Sequence, residues 1–289
     1  MEGPCVPATV GRSRPSPRPE IIAHYSRIAR EDSRFRSVRG QLEYERSKEL
    51  IRRFLPRRRS VIYDVGGGPG SYSFWLAQRG HEVHLVDPVP LHIRQAKQAA
   101  VRDPRAAPVE IVLGDARALA FGSSSADVVL LMGPLYHLPR SPDRRSALAE
   151  AYRVLKPGGV LVGVGVARFT SMIDGSWEGY LSDPEFVRIV RRDLRTGHHR
   201  NPKNVPAYWT TAFFGHPDDL SREVRAAGFR LKGTFAVEGF VWWVPRLAQK
   251  WKDAAYRNRL LEFLRTTEQE PTLMGLGPHI MSVGVKPSH

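Results

Sequence analysis

The segment Ser60-Val61-Ile62-Tyr63-Asp64-Val65-Gly66-Gly67-Gly68-Pro69-Gly70 decides the fold class of this 289-residue chain. Its first six residues form a short apolar run rich in β-branched side chains, which predicts a buried strand. The glycines that follow predict a sharp turn into a helix over 71–78. Glycine lets the backbone lie against a ligand while the N-terminus of the next helix points at it. The segment therefore predicts a strand–loop–helix unit that binds a small molecule.

Two well-known phosphate-binding motifs do not fit these glycines. A Gly-x-Gly-x-x-Gly frame that begins at Gly66 meets Ser71 at its last position, and one that begins at Gly68 meets Ser73. A Walker A loop is excluded because no Gly-Lys-Ser/Thr sequence follows. A glycine loop alone is often just a tight turn, so the prediction of a ligand site depends on the acidic residues at the strand ends.

Short apolar runs alternate with helical patterns after this loop. This alternation predicts βαβ units around a parallel sheet, and the uniformly apolar strands indicate that helices cover both faces. The predicted strands are 60–65, 82–87, 109–113, 127–131, 160–166, a run to about 237, and 279–285, and the helices between them are 71–78, 91–101, 143–155, 217–227 and 246–266.

Three further segments complete the predicted organisation. Residues 1–19 are rich in Pro, Ser, Gly and Arg, and we expect them to form a disordered basic arm. Residues 20–56 have apolar side chains at helical spacing and are predicted to be two cap helices with a break at Gly40. Residues 57–289 form the main domain, in which the aromatic-rich segment 168–215 is predicted to be a lid insertion after the fifth strand.

Composition excludes several classes of protein. Hydrophobic residues at 42% and charged residues at 25% are ordinary globular values. The longest apolar run, 160–167, is too short to span a bilayer, and the first residues lack the apolar stretch of a secretory signal. The single cysteine, Cys5, allows neither an internal disulfide nor a cysteine metal cluster. We therefore expect a soluble, cytoplasmic, metal-free protein that is a monomer or a homodimer and binds no membrane.

The chain is strongly basic, with a formal net charge of +15. The first 60 residues contain 15 Lys and Arg against 7 Asp and Glu, so more than half of the excess lies there. Such an arm can contact RNA phosphates or an anionic substrate, or it can simply be solvated. Most of the basic residues are arginine, which is typical of a GC-rich bacterial genome.

Three aspartates lie at the ends of three successive predicted strands: Asp64, Asp87 and Asp115. Ligands of open α/β sheets bind beyond the carboxyl ends of the strands, so these carboxylates should gather at one edge. A single Asp after a strand is commonly a turn or N-cap residue, but three in register with a glycine loop indicate a ligand site. A ribose diol offers two donors, and one carboxylate can accept both.

In the order and spacing of these motifs, residues 60–167 resemble the class I S-adenosylmethionine-dependent methyltransferases, particularly the bacterial small-molecule type. Asp64 to Gly70 is similar to the family's Asp-x-Gly-x-Gly-x-Gly motif, and Lys156-Pro157-Gly158-Gly159 to its turn before the fifth strand. The resemblance implies a Rossmann-like α/β fold with seven mostly parallel strands, helices on both faces and a reversed final pair. It also implies S-adenosylmethionine as cofactor and S-adenosylhomocysteine as product.

The resemblance further assigns a cofactor site. It implies that Asp87 accepts both ribose hydroxyls, that Asp115 accepts the adenine amine, and that the loop glycines pack on the methionine moiety. Tyr25 is similar to tyrosines that close over the methionine end, where its ring can also meet the sulfonium; the alternative is simple core packing. The full implied set is Tyr25, Asp64, Gly66, Gly68, Gly70, Asp87, Pro88, Asp115, Ala116, Met132 and Gly133.

The acceptor side is predicted from the loop after the fourth strand and from the insertion. The run 132–135, Met-Gly-Pro-Leu, departs from the Asp/Asn-Pro-Pro-Tyr/Phe motif of base-methylating relatives, which favours a small-molecule acceptor over nucleic acid. His137, with Tyr136 beside it, is the candidate catalytic base or acceptor-orienting residue, and its alternative is a structural histidine. The predicted acceptor contacts in the insertion are His198, His199, Tyr208 and Trp209.

We therefore predict transfer of a methyl group from S-adenosylmethionine to an O or N centre of a small molecule, in bacterial secondary metabolism. The sulfonium is already activated, so the protein need mainly position the reactants for SN2 displacement. Two alternatives stay open: an RNA methyltransferase that uses the basic arm, and a module that binds S-adenosylmethionine without catalysis.

Overall fold

The computed structural model describes residues 19–27, 31–106, 108 and 110–288. The predicted basic arm lies outside the described residues except for Pro19, which begins the first helix. Val109, the first residue of the predicted third strand, also lies outside them.

A nine-stranded sheet organises the described part of the chain, and seven of its strands form the central layer in the order β3-β2-β1-β4-β5-β9-β8. Within this layer only β9 runs antiparallel to its neighbours β5 and β8, while the short strands β7 and β6 extend the sheet from the end of β5. The predicted Rossmann-like, mostly parallel sheet is confirmed, with two short strands of the insertion added to the seven that were expected. The strands are β1 (Val61–Val65), β2 (Glu82–Asp87), β3 (Glu110–Leu113), β4 (Ala126–Leu131), β5 (Leu155–Ala167), β6 (His198–His199), β7 (Ala212–Gly215), β8 (Arg230–Ala236) and β9 (His279–Val285).

Helices cover both faces of this sheet, as predicted. Buried side chains of α6 and α9 pack on one face, and those of α2 and α3 pack on the other. None of the described helices combines the length and apolarity that a membrane crossing requires. The helices are α1 (Pro19–Arg27), α2 (Val38–Phe54), α3 (Ser71–Ala77), α4 (Pro90–Arg102), α5 (Pro134–His137), α6 (Ser141–Val154), α7 (Thr170–Glu178), α8 (Pro184–Thr196), α9 (Pro217–Ala226), α10 (Leu247–Lys250), α11 (Ala254–Thr267) and α12 (Pro271–Met274).

Two predicted helix boundaries are wrong. Gly40 lies inside the first turn of α2, and the break falls at Ser37, whose side chain caps α2 by accepting a hydrogen bond from the Gly40 N–H. A side chain at Gly40 would collide with the carbonyl of Arg34, so this glycine permits close packing of the preceding 3-10 helix. The helix expected over 246–266 is divided, because Asp253 caps a new helix, α11, with its carboxylate.

The insertion after β5 is more regular than its sequence suggested. It contains α7 and α8, followed by the short antiparallel pair β6–β7. The end of β7 joins the main sheet parallel to the last residues of β5, with Val166 opposite Phe214. The insertion is thereby anchored at the carboxyl edge of the sheet.

A buried ion pair ties the N-terminal helices to the main domain. Arg46 on α2 is fully buried and pairs with Glu268, which follows α11, at 2.5 Å. Arg46 also pairs with Glu49 and donates to the carbonyl of Val237. Buried polar contacts of Arg46 therefore connect the segment 20–56 to the C-terminal part of the chain.

A second buried charge lies at the end of β1. The Asp64 side chain is fully buried; its Oδ2 accepts the hydroxyl of Ser73 at 2.6 Å, and its Oδ1 has no partner among the described residues. Burial raises the pKa of Asp64 from 3.8 to about 6, and the nearby charge of Asp87 adds to this shift. Folding therefore shifts Asp64 toward its neutral form, which predominates only below about pH 6.

Replacing Glu268→Ala should destabilise the protein strongly, because it leaves the buried Arg46 with Glu49 as its only carboxylate partner and also removes the pair of Glu268 with Arg53. We expect a loss of about 3 kcal/mol in the free energy of unfolding, the lower end of the range for a broken buried pair. Urea unfolding measures it. The matched control is Glu45→Ala, whose exposed pair with Lys48 should contribute less than about 1 kcal/mol. Equal losses in the two variants would contradict the structural role of the buried pair.

Replacing Asp64→Asn should change the pH dependence of stability. An acid whose pKa rises on folding binds more protons in the folded state, so its stabilising effect is complete below pH 3.8 and is lost as the pH rises to about 6. Relative to the wild type, the variant should gain roughly 2 kcal/mol between pH 4 and pH 7. Thermal unfolding at both pH values measures the change. A difference between the two proteins that is the same at both pH values would show that Asp64 has an ordinary pKa.

Candidate functional site

A deep cleft opens beyond the carboxyl ends of β1, β2 and β4. It contains about 1200 Å³ of empty space, its open mouth included. We call it the first cleft. Nine of the eleven predicted cofactor residues line it: Tyr25, Gly66, Gly68, Asp87, Pro88, Asp115, Ala116, Met132 and Gly133. The other two, Asp64 and Gly70, are not part of its lining.

The glycine loop is held between β2 and the loop that follows β4. Gly66 and Gly67 both donate their N–H groups to the carbonyl of Val86, at 2.7 and 3.3 Å. Gly66 has a φ of +73°, and a Cβ at this position would lie 2.6 Å from the ring of Pro134. Only glycine therefore permits this approach of the two loops, which closes one end of the first cleft.

The carboxylate of Asp87 is the centre of a hydrogen-bond network. Its Oδ1 accepts from Val89 N at 2.8 Å and from His92 Nδ1 at 3.0 Å, and its Oδ2 accepts from Gly68 N at 2.9 Å. A carboxylate oxygen has about two acceptor positions, so Oδ2 keeps one for a ligand. His92 lines the first cleft, and its other ring nitrogen, Nε2, is buried without a partner among the described residues. Sequence reasoning missed His92, although it lies five residues after Asp87 in the first turns of α4.

Asp115 is already engaged with a neighbour. Its Oδ1 accepts from the backbone N–H and Nε of Arg117, both at 2.9 Å, and its Oδ2 accepts from the same guanidinium at 2.8 Å. Arg117 also pairs with Asp143, and these carboxylates raise its pKa despite partial burial. Oδ2 thus accepts one hydrogen bond from the described residues and has a second acceptor position, and Asp115 lines the first cleft.

Tyr25 and His137 form a hydrogen-bonded pair at the inner end of the first cleft. The Tyr25 hydroxyl lies 2.6 Å from His137 Nε2, and His137 Nδ1 lies 3.3 Å from the carbonyl of Thr211. A carbonyl only accepts, so Nδ1 carries the proton and Nε2 accepts from the Tyr25 hydroxyl. Both ring nitrogens of His137 are therefore engaged by the protein, and this geometry makes His137 an orienting partner of Tyr25.

A second cleft lies behind the first and shares part of its wall. The six residues that line both are Tyr25, Arg34, Glu43, Tyr136, His137 and His279. Its far wall comes largely from the insertion, with Thr170, Asp174 and the aromatic side chains of Trp209 and Phe214. Trp242 adds a third aromatic ring from outside the insertion. We call the shared set of six residues the junction.

Trp209 is held in an unusual backbone conformation at this wall. Its φ is +57°, which is strained for a bulky residue. The side-chain amide of Asn201 donates to the carbonyls of Trp209 and Val205, at 2.7 and 2.8 Å, and fixes this turn. Trp209 is the one predicted acceptor contact of the insertion that the structure brings to a cleft.

The other three predicted acceptor contacts, His198, His199 and Tyr208, line neither cleft. His199 is fully buried, with Nδ1 on Asp193 at 2.8 Å and Nε2 on the carbonyl of Tyr208 at 2.7 Å. The Tyr208 hydroxyl donates to Asp183, and the ring of His198 packs on Phe213. The structure thus places these three residues in the internal packing of the insertion rather than at a cleft wall, and His199 lies there because the buried Asp193 requires a hydrogen-bonding partner.

Sequence reasoning also missed a buried pair at the junction. His279, the first residue of β9, has its Nδ1 2.6 Å from Oε1 of Glu238, and its backbone N–H donates to Oε2 of the same carboxylate. Glu238 is fully buried. The only signal was that two ionisable residues flank the last two predicted strands, and nothing in their spacing connects them.

Comparisons with known proteins agree with this architecture. Residues 63–163 match the protein family described as "Methyltransferase domain". A ubiquinone/menaquinone biosynthesis C-methyltransferase, UbiE, from Dinoroseobacter shibae is 37% identical over 112 residues, which are 37% of this chain and 42% of the relative. The chain thus matches less than half the length of this curated relative.

Solved structures share the fold over most of the chain. A protein from Methanosarcina mazei described as one of the SAM-dependent methyltransferases has a TM-score of 0.57 at 20% identity, covering 83% of this chain and 98% of that one. A Pyrococcus horikoshii protein has a TM-score of 0.59 at 16% identity, covering 91% and 98%. Residues 63–163 thus form a methyltransferase domain, and the chain shares its fold with solved SAM-dependent methyltransferases, whose methyl donor is S-adenosylmethionine.

Proposed function

We propose that this protein transfers a methyl group from S-adenosylmethionine, bound in the first cleft, to an O or N centre of a small molecule bound in the second cleft. The observation that carries the proposal is the junction, where the two clefts share six residues. A methyl group can pass in a straight line only if donor and acceptor meet through such an opening. The aromatic side chains of the second cleft, Trp209, Phe214 and Trp242, support a small organic acceptor.

The donors and acceptors of the first cleft match the groups of the cofactor. Asp87 Oδ2 has one open acceptor position, and the unpartnered Nε2 of His92 offers another beside it. We assign the two ribose hydroxyls to these two atoms, which modifies the expectation that Asp87 alone accepts both. The open position on Asp115 Oδ2 suits the adenine amine, and the backbone of Gly66 and Gly68 suits the methionine end.

S-adenosylmethionine supplies an activated methyl group on a positively charged sulfur. The protein's own contribution is then to align the reactants and exclude water. Tyr25 covers the inner end of the first cleft, and His137 fixes its hydroxyl. An aromatic face beside a sulfonium contributes roughly 0.5–2 kcal/mol. In this proposal His137 positions Tyr25, while the remaining polar groups of the second cleft orient the acceptor.

Replacing Asp87→Ala should abolish binding of S-adenosylhomocysteine, because the ribose and the Gly68 N–H both lose their acceptor. Wild-type protein at about 100 times the dissociation constant should gain about 2.7 kcal/mol, seen as a rise in unfolding temperature. NADH should give no shift. The matched control is Asp218→Ala, at an exposed position on α9, which should keep the full shift. Unchanged affinity in the Asp87 variant would refute the assigned site.

Tyr25→Phe and His137→Ala should weaken S-adenosylhomocysteine binding by similar amounts, because each removes the same hydrogen bond. We expect about 1 kcal/mol, roughly fivefold in Kd, for each single change. The double variant should bind no more weakly than either single variant, since the shared interaction is lost only once. Isothermal titration calorimetry of all four proteins measures this coupling. Fully additive losses would mean that the two side chains act independently.

A further inference from the structure

We propose that His279, held by Glu238, is the catalytic base of this protein and takes the proton of a phenolic hydroxyl on the acceptor. The inference rests on the proposed methyl transfer and names both the acceptor class and the residue that activates it. The proton moves to Nε2 of His279, the phenolate oxygen forms the new bond to the methyl carbon, and the carbon–sulfur bond of the donor breaks. The products are an aryl methyl ether, S-adenosylhomocysteine and an imidazolium that returns its proton to solvent.

The position of His279 is the first argument. It is one of the six junction residues, so its side chain reaches both the donor and the acceptor cleft. By contrast, Asp174 lines only the second cleft, on its far wall. A base for methyl transfer must touch the acceptor atom that faces the methyl group.

The hydrogen bonds of His279 are the second argument. Nδ1 and the carboxylate of the buried Glu238 are 2.6 Å apart, which fixes the tautomer with the proton on Nδ1. Nε2 then carries a lone pair, and no described residue makes a hydrogen bond to it. A carboxylate behind the imidazole also stabilises the imidazolium that forms when Nε2 takes a proton.

Other titratable groups of the junction already take part in ion pairs or hydrogen bonds with neighbouring side chains. Glu43 pairs with the guanidinium of Arg34, and His137 accepts from Tyr25. Tyr136 is a phenol itself and lies with its ring centre 6.2 Å from that of His279. His279 is therefore the junction group best arranged to accept a proton from a ligand.

The electrostatic surroundings of His279 suit this role. Burial lowers its pKa, but the charges of Glu238 on one side and of Glu43 on α2 outweigh burial and raise the pKa above 6.5, with Arg34 opposing them. A stronger base comes closer to matching a phenol, whose pKa is about 10, as in tyrosine. An aliphatic alcohol is far too weak an acid for an imidazole, and a neutral amine already has a lone pair for the methyl group.

The walls of the second cleft fit an aromatic ring. Trp209, Trp242 and Phe214 all line it, and Trp209 is fixed by the strained turn described above. Aromatic side chains prefer edge-to-face or offset contacts with another ring. A phenol can thus pack among these rings and present its hydroxyl to the junction.

A metal ion is the competing use of this cluster. Glu43, Glu238 and His279 each place one ligand atom within 4.8 Å of the others. However, the guanidinium of Arg34 already pairs with Glu43, and this fixed positive charge disfavours a second cation there. The hydrogen bond between His279 and Glu238 also uses atoms that a metal would need.

The test uses 4-nitrophenol as the probe, because its phenolate absorbs visible light and its neutral form does not. At pH 6.5, full-length protein saturated with S-adenosylhomocysteine should convert bound probe to phenolate at least about threefold beyond the free probe, since a neighbouring base favours the ion pair. His279→Asn keeps a donor toward Glu238 but cannot take the proton, and it should lose this excess. Glu238→Gln lowers the pKa of His279 and should leave a smaller excess.

His198→Asn is the matched control, since His198 lies on β6 and lines neither cleft, and its phenolate band should equal that of the wild type. No excess phenolate in the wild type, an undiminished band in His279→Asn, or a band removed by EDTA would each overturn the inference. Binding of S-adenosylhomocysteine to the wild type distinguishes a failure of the proposed function from a failure of the role assigned to His279. If that binding fails, the proposed function fails; if it holds while the band is absent, only the role of His279 is refuted.

Discussion

The carboxylate of Asp87 is the constraint on which the arrangement of the first cleft depends. It gathers the Gly68 N–H from the loop after β1, the Val89 N–H at the end of β2, and the Nδ1 of His92 on α4. Three separate segments are thus fixed to one buried group. Because each bond uses an acceptor position on the carboxylate, the same network also decides which atoms stay available to a ligand.

The reversed strand β9 explains why the junction has an acid–base pair at all. The parallel strands of the sheet present their last residues at the ligand edge. An antiparallel neighbour presents its first residue there instead, and His279 accordingly lies opposite Val166 near the end of β5. Glu238 follows the end of β8, the strand beside β9, and so reaches the same edge. The topology therefore brings two residues 41 positions apart in the chain into one hydrogen-bonded pair.

The insertion shows how the same residue types can serve packing or a ligand surface. The sequence suggested that His199 contacts a ligand. In the structure its Nδ1 is hydrogen-bonded to the buried Asp193 on α8, and its Nε2 is hydrogen-bonded to the carbonyl of Tyr208. That bond in turn fixes the backbone just before Trp209, whose side chain reaches the second cleft. His199 and Tyr208 thus stabilise the insertion from inside, while Trp209 lines the second cleft.

The sequence by itself determined the α/β class, the strand positions and the glycine loop, because apolar periodicity and the conformational demands of glycine act locally. It also placed Asp87, Asp115 and Tyr25 at the first cleft, although Tyr25 and the exact roles relied on a family resemblance. Only the tertiary structure decided that His137 is hydrogen-bonded to Tyr25 and that His199 is buried. It also decided that His92 lines the first cleft and that Glu238 is hydrogen-bonded to His279. The reason is physical: a hydrogen bond between side chains depends on which elements become neighbours, and residues such as Glu238 and His279 meet only after two distant strands pair.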